Sequence, residues 1–260
     1  MTAIRPREVV TALVTIVVAI GLWEAFVRLL NVPDFLVPAP SAIWQEFASR
    51  PDLYANHTWV TLYETVIGFL LAVVLGIVAA IAIVYSRPLQ SVVYPLILVL
   101  QIVPKVAIAP LLLIWVGYGL QSKALIALLV AFFPIVISAA TGMRAADPEL
   151  LDLVKVLNGS RWQEFVKIRF PYSLPFIFSG LKVAITLAVI GAIIGEFVGG
   201  NEGLGYLIVI ANAQLRTAMS FSSFILLSLM GLALFAAVVL LERLMVPWGV
   251  TEAEEIPVSL

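Results

Sequence analysis

The 260-residue chain has no cysteine, a single histidine, and only 12% charged residues. Without cysteine there is no disulfide, no thiolate metal site and no thiol nucleophile. One histidine cannot supply the H-E-x-x-H zinc motif, and G-x-S-G does not occur, so the intramembrane proteases that a many-span chain could house are excluded. His57, that one histidine, reads as a solvated residue of a loop. There is also no G-x-x-x-x-G-K-S/T phosphate cradle, so the chain has no means of its own to bind ATP. A net charge of -1 with no long basic run leaves no electrostatic footprint for nucleic acid.

Apolar residues are what it has instead. They make up 62% of the positions, and mean hydropathy is +1.10, too apolar for a soluble globule to cover its surface. Lipid is therefore the solvent for much of the chain. A helix crossing the hydrocarbon core needs roughly 20 apolar residues. Six stretches qualify, at residues 9–30, 60–85, 92–116, 124–141, 174–198 and 221–244, which predicts an all-α membrane protein with six transmembrane helices. Arg5 and Arg7 before the first stretch and "VPAPSA" after it resemble a secretory signal. The apolar run exceeds the usual h-region of about 7–15 residues, and five more spans follow, so it is read as a retained helix.

Lys and Arg set the orientation. With both termini cytoplasmic, the inner side holds Arg5, Arg7, Arg87, Arg144, Lys155, Arg161, Lys167, Arg169 and Arg243. The outer side holds only Arg28, Arg50, Lys123 and Arg216. The chain then divides into residues 1–57 (first helix and outer loop), 58–246 (a five-helix core with an inner loop at 143–173) and a cytoplasmic tail at 247–260.

The inner loop is the most informative segment. Asp147-Pro148-Glu149 predicts a helix start, with an Asp cap, Pro at the first position and acid at the positive end of the dipole. Leu150, Leu153, Val154 and Leu157 follow at helical spacing, and Asn158-Gly159 supplies a left-handed stop. Ser160 to Gln163 forms a capping box that launches a second short helix bearing Trp162, Phe165 and Val166, closed by Pro171 and Pro175. Two uses are open to such an elbow: lying on the membrane surface, or receiving a partner.

The stretch "DLVKVLNGSRWQEFVKIRFPYSLP" resembles the cytoplasmic-loop motif of binding-protein-dependent ABC importer permeases, E-A-A-x3-G-x9-I-x-L-P. Asp152 stands at the Glu position, Leu153 and Val154 at the Ala positions, Asn158 at the Gly position, and Ile168, Phe170 and Pro171 at I-x-L-P. The spacing is kept while Leu-Val adds bulk to the docking face. "TLYETVIGFLLAVVLGI", "VPKVAIAPLLLIWVGYG", "AFFPIVISAATGMRAADPELL" and "GEFVGGNEGLGYLI" extend the resemblance to the nitrate, sulfonate and taurine (NitT/TauT) branch. "VPKVAIAPL" looks closer to branches for pyrimidine thiamin precursors or similar heteroaromatics.

The resemblance implies a type I ABC importer permease fold in a bacterial inner membrane. It implies a second copy of the chain, two cytosolic ABC ATPase subunits and a periplasmic solute-binding protein as partners. ATP and Mg would be bound by the ATPase, with no cofactor or metal site in this chain. ATPase coupling would fall to Asp147, Asp152, Leu153, Val154, Leu157, Asn158 and Gly159. The competing transport reading is an ion-coupled carrier in which acids such as Glu64 hold the coupling ion; no repeat between the two halves supports it.

Charge inside a membrane is costly enough to ask for a reason. Lys105, between Pro104 and Pro110, is predicted to sit at a broken helix, with Gln101 one turn earlier. It either attracts an anionic solute, pairs with Glu64 or Glu196, or snorkels to a headgroup. Glu196 precedes Gly199, Gly200, Gly203 and Gly205, a flexible or tightly turned segment that the resemblance favours as a gate over a plain surface loop. Small-residue ladders at Gly68, Ala72, Gly76 and Ala80, at Gly180, Ala184, Ala188 and Ala192, and at Gly191, Gly195 and Gly199 predict close helix approach within the subunit or, alternatively, at a dimer seam or pore.

Overall fold

The computed structural model describes residues 6–248; Arg5 and nearly all of the expected tail at 247–260 lie outside the described residues. Those residues form helices throughout: α1 (Pro6–Leu29), α2 (Pro40–Ser49), α3 (Pro51–Tyr85), α4 (Tyr94–Ile102, entered through a widened turn at Leu89–Val93), α5 (Lys105–Val116), α6 (Leu120–Arg144), α7 (Pro148–Val156), α8 (Arg161–Glu164), α9 (Phe170–Gly199), α10 (Leu204–Ala213) and α11 (Thr217–Met245). Each of the six apolar stretches is helical, the third as two helices broken at Val103–Pro104. Four helices are long and apolar enough to cross a membrane, and a pair bent through 98°, Leu89–Ile102 with Lys105–Val116, makes five if it counts as one span. α1 adds a 24-residue helix over the first predicted stretch.

The core is built around α6, clasped by α3 on one side and α9 on the other. In lipid there is no hydrophobic drive to bring helices together, so contact area and close approach must do it. The small-residue ladders provide that approach. A Cβ on Gly68 would stand 2.5 Å from the Ala127 methyl, and one on Gly191 would stand 2.6 Å from the Ala127 backbone, so both helices close on the same α6 residue. Ala72, Ala131, Ile135, Ala184 and Ala188 continue the seam as one buried cluster. The ladders thus pack within the subunit.

Two local expectations are corrected. The helix launched at Ser160 does not close at Pro171 and Pro175; it runs from Arg161 to Gly199 without a break. A widened, π-type turn at Phe165–Arg169 precedes the prolines and loosens the backbone where Pro171 lacks an N–H and its ring would press on the turn before. The break near Lys105 is real but lies at Val103–Pro104 only, since Pro110 sits inside α5. α2 and α10 are short helices in segments expected to be loops.

Candidate functional site

At one end of the bundle the α7–α8 elbow forms as its residues dictate. Asp147 accepts the Glu149 N–H at 2.8 Å, and Ser160 and Gln163 complete a reciprocal capping box. Asn158, not Gly159, takes the left-handed conformation (φ 52), and the Gly159 N–H closes the helix on the Val154 carbonyl at 2.8 Å. Asp152 pairs with Lys155 at 2.7 Å on the exposed surface. Leu153 (53% exposed) and Leu157 (71%) project outward, Leu150 and Val156 are exposed beside them, and Val154 is half-buried. Arg169 ties the elbow to the core: its guanidinium bonds Glu164 at 2.5 Å and the Met143 carbonyl, near the end of α6, at 3.0 Å.

Gln101 and Lys105 stand on either side of the Val103–Pro104 bend. The Lys105 ammonium bonds the Gln101 carbonyl and lies 5.0 Å from the Phe133 ring centroid. It does not pair with Glu64 or Glu196, so that expectation fails.

The acids are met instead at the other end of the bundle by Lys123, which charge counting had assigned to the outer surface. Lys123, at the start of α6, is 5% exposed and bonds Glu64 at 2.7 Å and the Glu202 carbonyl at 3.1 Å. Glu196 is 1% exposed; its carboxylate accepts the Thr61 hydroxyl at 2.6 Å and the Gly205 N–H at 2.5 Å. Thr61 in turn accepts the Leu204 N–H at 2.8 Å. His57 is not solvated: half-buried in α3, it accepts the Gly203 N–H through Nδ1 at 2.8 Å and stacks on Tyr206.

Gly203 holds φ 115, and a Cβ there would collide with the Glu196 carboxylate. The glycine-rich segment is therefore tightly turned, and it seats the first amides of α10 on α3 and α9. Beside this network lies a cleft of about 410 Å³ lined by Trp59, Tyr63, Glu64, Tyr118 and Lys123 among others. Lys123 and Thr61 escaped the sequence reading because a span-edge Lys and a mid-helix Thr carry no motif. Only the fold brings them to Glu64 and Glu196.

Comparison with known proteins decides what this architecture is. Residues 72–248 match the family described as binding-protein-dependent transport system inner membrane component. The chain belongs to that family. This permease is 36% identical over 221 residues to an ABC transporter permease of Haemophilus influenzae, covering 85% of this chain and 90% of the relative. It is 36% identical over 239 residues to the riboflavin transport system permease protein RibX of Chloroflexus aurantiacus (90% and 88%). It is 33% identical over 228 residues to the formylaminopyrimidine transport permease protein ThiX of Halalkalibacterium halodurans (87% and 91%).

Permeases named for aliphatic sulfonates, taurine and nitrate match at 30%, 24% and 29%, consistent with the NitT/TauT branch. The fold is that of the inward-facing MetNI methionine ABC transporter, with a TM-score of 0.67 at 18% identity over 74% of this chain and 96% of that one. The permease is thus a multi-pass inner-membrane component of an ABC importer with a type I importer fold.

Proposed function

We propose that this permease forms the translocation pathway of an ATP-driven importer as a homodimer of six-span subunits, both termini cytoplasmic, with α1 counted as the first span. Two cytosolic ATPase subunits bind ATP and Mg and dock on the α7–α8 elbows; a periplasmic protein delivers the solute. ATP binding draws the elbows together and opens the pathway outward, and hydrolysis releases them. The chain itself performs no covalent chemistry. The observation that carries this reading is the leucine face of α7. A capped, nine-residue helix that holds Leu153 and Leu157 out from the bundle has an apolar surface with no partner among the described residues.

Asp147, Asn158 and Gly159 shape the ends of that helix, while Leu153, Val154 and Leu157 supply its contact face and Asp152 its charged rim. Gln101 and Lys105, at the bend, belong to the pathway. Glu196 acts at the gate through α10 and makes no contact with the solute.

The solute is a small heteroaromatic molecule of the pyrimidine or flavin type, because the relatives named for such solutes are more identical to this chain than those named for taurine or nitrate. Sulfonates, taurine and nitrate are the alternatives within the branch. Proteoliposomes holding the permease, its ATPase and its binding protein test both points. ATP-dependent uptake of a labelled aminopyrimidine or flavin, and none of taurine, is expected. Uptake by the permease alone, driven by an ion gradient, would overturn the importer reading.

A further inference from the structure

The network at the α10 end contains one more acid than it has bases to neutralise it. Glu64 from α3 and Glu196 from α9 lie within hydrogen-bonding reach of each other and are the only buried acids among the described residues. Lys123 from α6 is the only buried cation among the described residues. His57 cannot supply a second positive charge, because its Nδ1 accepts the Gly203 N–H and an imidazolium has no acceptor nitrogen. Glu202, in the segment before α10, contributes its carbonyl to Lys123 and its side chain is exposed; Tyr206 of α10 only stacks on His57.

The hydrogen bonds divide unequally between the two acids. Both Glu196 oxygens have donors, the Thr61 hydroxyl and the Gly205 N–H at the start of α10, where the helix dipole also favours negative charge. Glu64 Oε1 accepts from Lys123, but Glu64 Oε2 is buried and has no donor at all. A bare carboxylate oxygen buried beside a second carboxylate is unfavourable twice over, through lost hydration and through like-charge repulsion.

We propose that Glu64 and Glu196 together form a proton-binding site at the hinge of α10. Glu64 carries the proton on Oε2 and donates it to Glu196, which stays ionised. With that proton every polar atom of the two carboxyls has a partner, and Lys123 balances the one remaining negative charge. The site is independent of which solute the permease carries. It makes the seating of α10 on α3 and α9 depend on a proton held where the gate closes.

Infrared spectroscopy of the full-length permease in ether-lipid nanodiscs, which lack ester carbonyls, reads this proton directly. A deuterium-sensitive carboxylic C=O band is expected at neutral pH in the unaltered protein. It should be lost in both Glu64→Gln and Glu196→Gln, since Lys123 neutralises whichever acid remains. Absence of the band from the unaltered protein, or its persistence in either variant, would overturn the proposal. Should a variant fail to fold, carbon-13 labelling of glutamate in the unaltered protein decides instead: a band that shifts with the label stands for the site, and one that does not shift stands against it.

Discussion

Lys123 and Glu64 differ in what their loss should cost, although they are partners. Removing Lys123 as Lys123→Met strands a buried negative charge on Glu196, and breaking a buried pair in this way costs about 3–5 kcal/mol. Glu64→Gln keeps an acceptor for Lys123 and a donor toward Glu196, so thermal unfolding in nanodiscs should show a clearly smaller loss; equal losses would contradict the assignment. Gly203→Ala should lower the melting temperature as well. It forces a Cβ into the Glu196 carboxylate at φ 115, a strain of roughly 1–3 kcal/mol. Gly200→Ala tests close approach without that φ, and a loss as large as that of Gly203→Ala would count against the hinge argument.

At this scale the sequence told only half the story. Glu196 and the glycines stood out by type and spacing. Lys123 was counted as an outer-side charge with nothing to mark it as buried, and His57 was read as solvated. Burial is set by residues distant in sequence, and no local pattern carries it.

Among elements, α6 is the one whose surroundings are most demanding. α3 and α9 approach it through glycine and alanine, so a side chain at either contact must push a helix away. Gly68→Val or Gly191→Val should destabilise the bundle by about 1–3 kcal/mol, as overpacking does, with Gly21→Val as a control in open space. A melting temperature unchanged in both ladder variants would place the close contact elsewhere.

Helix type was readable here because apolar runs of this length have only one way to satisfy their backbone in lipid; extent was not, since α3 starts at Pro51 rather than near residue 60 and α2 and α10 fold in segments expected to be loops. The elbow was readable for a different reason: its caps are local. Asp147, Asn158 and Ser160 act on amides within four residues of themselves, and all three behave as their chemistry requires. The expected stop at Pro171 was not met. A proline's effect depends on whether the preceding turn can widen, and the Phe165–Arg169 turn does so.

For the molecule as a whole, the elbow and the hinge of α10 lie at opposite ends of the same three helices. α6 links them, with Lys123 in its first turn bonded to Glu64 and Met143 near its last turn bonded to Arg169. A displacement of the elbow therefore has a rigid, close-packed route toward the turn before α10, and membership of an importer family gives the proposed gate there a purpose. Composition alone had already required a membrane protein. Which partner drives it rests on the α7 face.

The most direct test is co-purification of the tagged permease with its ATPase, comparing the unaltered chain with Leu153→Glu, Leu157→Glu. Both leucines are exposed, so the variant should insert and melt as the unaltered permease does. The account predicts that the ATPase is recovered with the unaltered permease and lost from the variant. Equal recovery with both, or no ATPase with either, would contradict it.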